Sequence, residues 1–326
     1  MDRRRKVFMF SGQGSQYYHM GEDLFHNNEI FQRYMKKLDR IALDMIGNSI
    51  LEHLFDNKKR KIDLFNRTLF SHPAIFMFEY SMAMTFLELG LEPDYVFGSS
   101  LGEYAALSIA NVVHVEEMLE IVIRQAQLFE GFCMKGSMLA ILNNFHSYDE
   151  IPLIHNNSEL AAINFNSHYV ISGTHENLIM IEKYLRSKEI TCQMLPVSFA
   201  YHSSLINSIE IEFKKYASQI KFECPKVKIL SSSYGNEITG DITKDYIWDV
   251  VRKPILFQDA VEYLEKKEEC IYFDFGPSGT LSNFVKYNLN RHTASETHAI
   301  GTPFSNDIDR FEFICNKFIR KQLEWK

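Results

Sequence analysis

The chain lacks most of the features that would remove it from the class of ordinary globular proteins. Its 326 residues include only five cysteines, at 133, 192, 224, 270 and 315. These are dispersed and odd in number, and no C-x-x-C pair occurs. Free thiols in a reducing cytoplasm fit this spacing better than a disulfide framework or a zinc site. No apolar stretch reaches the ~18 residues that a membrane-spanning helix needs, so no membrane association is expected. Positive charge is not in excess: 35 Lys and Arg stand against 42 Asp and Glu, a net −7, which argues against wholesale nucleic-acid binding. Met1-Asp-Arg-Arg-Arg-Lys6 has the basic character of a signal-peptide head. However, only Val7–Phe10 follows before Ser11-Gly12, too short for the apolar core of a signal. Internal repeats and low-complexity segments are absent.

A glycine-rich loop, Gly12-Gln13-Gly14-Ser15-Gln16, follows the apolar run Val7–Phe10. A dinucleotide fingerprint would need a third glycine where Tyr17 stands, and a phosphate-binding P-loop would need Gly-Lys-Ser/Thr at its end. The other reading is a loop whose backbone N–H groups face an active site. Asp56-Asn-Lys-Lys-Arg-Lys61 reads as a solvated loop rather than a nucleic-acid patch. His72-Pro73 reads as the opening of a helix over Ala74–Leu89, and Glu116–Phe129 reads as an amphipathic helix.

Gly98-Ser99-Ser100-Leu101-Gly102 is a G-x-S-x-G pentapeptide between an apolar run, Glu92–Phe97, and a helical segment from Glu103. Strand, sharp turn and helix are the setting of a nucleophile elbow, in which the central Ser100 is exposed above a helix N-terminus. That N-terminus offers unpaired N–H groups to a developing oxyanion. The same string also occurs as a plain structural turn, and Ser99 is a second serine within it. Of the 12 histidines, His202 stands out in Leu195-Pro-Val-Ser-Phe-Ala-Tyr-His202, where it either serves as a base or sits beside a helix cap formed by Ser203 or Ser204.

Early strands alternating with helices predict an α/β protein with a mainly parallel sheet. Short strands at Ser137–Leu142, Ala161–Ile163, His168–Ser172 and Cys192–Val197, with a helix at Leu178–Lys188, predict a small ferredoxin-like insertion. Residues 134–203 are assigned to that insertion, and residues 1–133 with 204–326 to the larger subdomain. Further on, Ser204–Tyr216 and Thr280–Leu289 read as helices, and Val227–Leu230 and Ile271–Phe275 as strands.

Four segments carry a resemblance. Phe10–Gln16 resembles the F-x-G-Q-G-S-Q opening of malonyl-CoA:acyl-carrier-protein acyltransferases. Gly98–Tyr104 resembles their G-H-S-L-G-E-Y, Leu195–His202 their L-P-V-S-x-x-x-H, and Phe275–Gly279 their late x-G-P-x-x turn. They occur in the family's order and span almost the whole chain. The resemblance implies a large α/β-hydrolase-like subdomain, a small ferredoxin-like one, and an active site in the cleft between them. It implies Ser100 as nucleophile and His202 as base, with Gln13 and Leu101 N–H groups as the oxyanion hole. A main-chain carbonyl at or near Leu256 would orient the base.

Three departures set this chain apart within that resemblance. Gln125 stands where malonyl-using relatives carry an arginine 25 residues after the nucleophile. Ser99 replaces a histidine, and His72 replaces a glutamine before proline. With Tyr201 beside the base, these residues are assigned to the acyl pocket. Neutral Gln125 cannot clamp a carboxylate, and adjacent Arg124 points about 100° away on a helix. The pattern resembles the discrete acyl hydrolases encoded with trans-acyltransferase polyketide synthases. The implied activity is proofreading hydrolysis of acyl thioesters on acyl carrier proteins. The phosphopantetheine arrives with the substrate, and neither a metal nor a bound cofactor is needed. A monomer is expected. The rival readings are a malonyl- or acyl-CoA:carrier-protein transferase and a silent partner that docks carrier proteins.

Overall fold

The computed structural model describes residues 3–304 and 306–320. Met1 and Asp2 of the basic head, and residues 321–326 of the segment expected in the larger subdomain, lie outside the described residues.

Eleven strands form two sheets among the described residues: β1 (Arg5–Phe10), β2 (Tyr95–Gly98), β3 (Ser137–Ile141), β4 (Glu159–Phe165), β5 (His168–Gly173), β6 (Cys192–Met194), β7 (Lys228–Ser231), β8 (Asn236–Glu237), β9 (Ile255–Leu256), β10 (Cys270–Asp274) and β11 (Glu296–Ala299). The larger sheet has the order β11-β10-β1-β2-β7-β8 and is parallel except for β8 at its edge. Helices cover both faces of such a sheet, so its central strands are apolar without alternation. Val7, Phe8, Met9 and Phe10 are all fully buried. Both β1 and β2 run toward Phe10 and Gly98, which are register partners. The two glycine-bearing turns therefore emerge side by side at the carboxyl end of the sheet, where open α/β sheets bind ligands.

The second sheet has the order β6-β3-β5-β4-β9. Its four antiparallel strands follow the ferredoxin-like arrangement, with a helix, His175–Ser187, after β5. Side chains alternate across it. Leu139, Ile141 and Ile171 pack with Leu178, Ile181 and Leu185 of that helix in a separate small core. Met138, Ala162 and Val170 join the main core. The fifth strand was not expected. Ile255 and Leu256 pair in parallel with Ala162 and Ile163, so a segment from the far part of the chain closes the edge of the small sheet.

The helix expected from Ala74 instead spans Thr68–Glu88, with Pro73 inside it. Pro73 lacks only the N–H that would reach Leu69, and the first turn is held from outside it. Glu130 accepts from the Leu69 N–H at 2.9 Å. The earlier start places His72 within the helix, 2 % exposed. The segment expected as one helix from Ser204 divides into a 3-10 turn, Ser204–Ile209, and a helix, Glu210–Ala217. Among the described residues no helix is long and apolar enough to cross a membrane.

Candidate active site

The chain turns sharply after β2 and enters the Gly102–Ile109 helix. Ser100 sits in that turn with φ +53°, a left-handed conformation that costs a non-glycine residue about 1–3 kcal/mol. The glycines around it are required by contact. A Cβ at Gly98 would lie 2.2 Å from the backbone of Glu103, and one at Gly102 would lie 2.1 Å from the Phe10 carbonyl oxygen. The turn closes with Gly102 N–H on Ser99 O (3.1 Å) and Glu103 N–H on Ser100 O (2.8 Å). The Leu101 N–H takes no part in those bonds.

The glycine-rich loop lies against this elbow. A Cβ at Gly12 would meet the Ser99 carbonyl oxygen at 2.8 Å. The loop is gripped from below by Glu79, fully buried on the Thr68–Glu88 helix. Its Oε1 accepts from the Ser11 N–H at 2.5 Å and the Ser11 hydroxyl at 2.7 Å. Burial raises the Glu79 pKa well above the ordinary carboxyl range. Gln16 closes the loop by accepting the Gly14 N–H at 2.7 Å. The Gln13 side chain pairs with Ser71 at 3.1 Å, which leaves its backbone N–H outside the loop's own bonds.

His202 meets the elbow from the far side of the cleft, again with a positive φ of 59°. Its Nε2 lies 2.8 Å from Ser100 Oγ. Its Nδ1 lies 2.7 Å from the Lys253 carbonyl oxygen. A carbonyl can only accept, so Nδ1 carries the proton and Nε2 presents its lone pair to the serine. Burial lowers the His202 pKa to about 4, with the Lys253 bond opposing and the Arg252 charge adding to the shift. The ring is therefore neutral near pH 7, as a general base must be.

Leu256, expected to supply the orienting carbonyl, does not. The chain bends at Lys253-Pro254, so the carbonyl three residues earlier faces the ring. Leu256 instead belongs to β9, pairs with Ile163, and donates its N–H to Ser232 O at 2.7 Å. Glu103 ties these parts together. Its buried carboxylate accepts from the hydroxyls of Ser231, Ser232 and Ser233 at the end of β7, from the Ser233 N–H, and from the Tyr246 hydroxyl. Burial raises its pKa to about 7 despite those donors. The elbow helix, the end of β7 and the Lys244–Arg252 helix are thereby joined close to the Ser100–His202 pair.

Two cavities open on Ser100. The main cleft, about 420 Å³, lies between the two sheets and is lined by Ser99, Ser100, His202, Asn164, Gln193 and Phe284 among others. Among the described residues no Lys, Arg, Asp or Glu lines it. The side cavity is smaller, about 10 Å³, and is enclosed by His72, Gln125, Tyr201, Tyr104, Val250 and Val251. Gln125, 1 % exposed, donates from Nε2 to the Tyr104 hydroxyl at 2.6 Å, and that hydroxyl donates to Ile247 O at 3.0 Å. Arg124 is turned away and reaches Gln127 at 3.4 Å. Tyr201 is held by Thr68 at 3.2 Å. The structure thus brings Ser100, His202, Gln13, Leu101, Ser99, Gln125, His72 and Tyr201 to one place. Of the expected site residues, only Leu256 is not among them. Among the described residues no group of three or more His, Cys, Asp or Glu side chains is arranged to hold a metal ion. A separate cavity of about 510 Å³, near Asn283 and Arg310, shares no lining residue with the cleft.

Sequence reasoning missed Lys253 and Glu79. Glu79 had a visible signal, a carboxyl set between the apolar runs Ala74–Phe78 and Met82–Met84 of a helix. Lys253 acts through its backbone and leaves no side-chain signature.

The acyl transferase domain family matches residues 7–318. The polyketide biosynthesis acyltransferase homolog PksD of Bacillus subtilis (strain 168) is 44 % identical over 302 residues, covering 93 % of both chains. BaeD of Bacillus velezensis, named in the same words, is 44 % identical over 301 residues, covering 92 % of this chain and 93 % of its own. The fold is shared with a loading acyltransferase from the avermectin modular polyketide synthase, at TM-score 0.87 and 20 % identity, covering 95 % of this chain and 98 % of that one. It is also shared with the malonyl CoA-acyl carrier protein transacylase of Clostridium perfringens, at TM-score 0.81 and 23 % identity, covering 98 % of each. A serine on a strained elbow, a neutral histidine within hydrogen-bond reach, and a match along almost its entire length together make this chain a member of the acyl transferase domain family.

Proposed function

We propose that this protein is a serine acyl hydrolase of polyketide biosynthesis, which removes short uncharged acyl groups from the phosphopantetheine thiols of acyl carrier proteins. The names of the two Bacillus relatives support the pathway class. In this reading His202 Nε2 takes the Ser100 proton as Oγ attacks the thioester carbonyl. The Gln13 and Leu101 N–H groups receive the oxyanion. His202 then protonates the leaving thiol, and water releases the acid. Nucleophile and base are both side chains of the chain itself. The reaction therefore draws on the cofactor arm that the substrate carries and on no other.

The observation that carries the reading is Gln125. Among the described residues no Lys or Arg lines either cavity at Ser100, and the buried position where malonyl-using relatives carry arginine holds an amide tied to Tyr104. His72 adds no charge, because burial lowers its pKa to about 3. A malonyl carboxylate would enter without a counter-ion, at a cost of several kcal/mol. The neutral, amide-lined cleft suits the uncharged pantetheine chain. The test is a comparison of acetyl and malonyl thioesters of one carrier protein, with free acid followed over time. Faster release of acetate supports the hydrolase. Rapid malonyl transfer between carrier thiols, with no free acid, overturns it in favour of a loading enzyme.

A further inference from the structure

The basic run Asp56–Lys61 has no part in the catalytic site, yet it is anchored at the mouth of the cleft. Residues 56–64 carry four cations, Lys58, Lys59, Arg60 and Lys61, against Asp56 and Asp63. That is a local surplus of positive charge in a chain of net −7. Two large apolar side chains are exposed in the same loop, Ile62 at 82 % and Leu64 at 69 %. Aliphatic contacts within a charged rim are the make-up of a protein interface. The loop is held in a fixed shape. His19 Nε2 lies 2.8 Å from the Lys59 carbonyl oxygen, and the ammonium groups of Lys59 and Lys61 lie over the Tyr18 and Tyr17 rings, each at 5.8 Å. Its end is tied to both walls of the cleft. Gln16 donates to Phe65 O at 3.1 Å, and the Ser198 hydroxyl donates to Asn66 O at 3.3 Å. Gln16 continues the cleft-lining Gln13–Ser15, and Ser198 follows the cleft-lining Leu195 and Pro196. Gly12 packs on Ser99 and Ser100, and Gln16 is four residues along, at most ~14 Å of chain away. An extended phosphopantetheine arm spans that interval.

We propose that the loop of residues 56–64 is the docking surface for the acyl carrier protein, with Lys58 and Lys59 facing its acidic side chains and Ile62 and Leu64 making the apolar contact. The inference rests on one part of the reading above, that the acyl group arrives on a carrier protein. Carrier proteins are small acidic domains, so the charges are complementary although both chains are acidic overall. Such complementarity speeds encounter, fixes register and weakens as salt screens it. The held shape of the loop leaves little ordering to be done on binding. Among the described residues none of 56–64 lines either cavity at Ser100. The surface therefore acts on the protein part of the substrate and leaves the acyl pocket and the Ser100–His202 pair as they are.

The test compares two acetyl donors, acetyl-carrier protein and an acetyl N-acetylcysteamine thioester, which has no protein part. The adduct on Ser100 is read by intact mass over a range of donor concentrations. In Lys58→Glu with Lys59→Glu, the carrier concentration for half-maximal acylation rises about tenfold, while acylation by the small donor stays within about twofold of wild type. Ile62→Ser with Leu64→Ser gives the same selective loss. Reversing two other exposed lysines, Lys183→Glu with Lys188→Glu beside the outer helix of the small sheet, changes neither donor. Added salt raises the carrier concentration that wild type needs and leaves the small donor unaffected. An unchanged carrier requirement in a Lys58→Glu, Lys59→Glu protein that still reacts normally with the small donor overturns the docking surface. If the same substitutions instead abolish binding to phosphatidylglycerol vesicles, the loop belongs to a lipid surface. Equal losses with both donors also overturn it, because the change then acts within the site. Free acetate is followed in the same mixtures. Its absence overturns the hydrolase reading alone, since the docking comparison reads acylation and not release.

Discussion

Placing an arginine at position 125 gives the most informative perturbation of substrate choice. In the present structure the Gln125 amide is committed to the Tyr104 hydroxyl at 2.6 Å. To serve a carboxylate it must give up that bond, worth about 1 kcal/mol, for a single bond that brings no counter-charge to the carboxylate. An arginine would supply a charge-assisted, bidentate contact worth about 1.5–3 kcal/mol. The difference predicts a swing of about ten- to a hundredfold in malonyl relative to acetyl acylation. The side cavity has room for about one water, so the longer side chain crowds His72. Gln125→Arg with His72→Gln relieves that crowding and should give the larger part of the swing. The assay presents acetyl and malonyl thioesters together and reads the ratio of the two adducts by intact mass. Wild type should favour acetyl, and the double variant should move the ratio toward malonyl. A wild-type preference for malonyl, or an unchanged ratio in a folded double variant, refutes the reasoning.

Ser100→Ala should abolish the covalent adduct while Ser99→Ala retains it; an adduct mapped to Ser99 in the first variant would reassign the nucleophile. His202→Ala should keep the fold and lower turnover by about two orders of magnitude or more, measured as free acid released. Because burial holds the His202 pKa near about 4, acylation should rise through that pH and be flat by neutrality, whereas a half-maximum near ~6.5 would mean a solvent-exposed base. Gly98→Ala should destabilise by at least ~2 kcal/mol in denaturant titration, since its Cβ would sit 2.2 Å from the Glu103 backbone. The His72 ring stays neutral in the fold down to about 3 but takes a proton near ~6.5 when unfolded. The unfolded state therefore binds more protons between those values, and stability falls as pH falls. His72→Leu should shrink the loss of stability from pH 7 to pH 5 by about 2 kcal/mol, and no change would show that His72 is not shielded.

What could be read from the sequence was whatever a local pattern encodes. The unbroken apolar run Val7–Phe10 marks a strand covered on both faces, and the glycines flanking Ser100 mark a backbone too crowded for a Cβ. The four short strands of the insertion show their alternation and assemble in the ferredoxin-like order. Elements set by tertiary contact were not legible. The two residues of β9 form a strand only because β4 lies alongside. The turn of helix before Pro73 depends on Glu130 from another helix. The same holds within the site. Ser100, His202 and Gln125 are distinguished by side-chain type and context. The Lys253 carbonyl is set by how the chain bends at Pro254, and backbone oxygens are alike in every sequence.

The central claim, that Ser100 passes an uncharged acyl group from a carrier thiol to water, is tested most directly by one single-turnover measurement. A limiting amount of acetyl-carrier protein is mixed with enzyme in the absence of any acceptor thiol, and the acetyl group is followed by mass from carrier to enzyme to solution. The account predicts a transient adduct on Ser100 that decays with one equivalent of free acetate. An adduct that accumulates and stays until an acceptor carrier protein is added would contradict it.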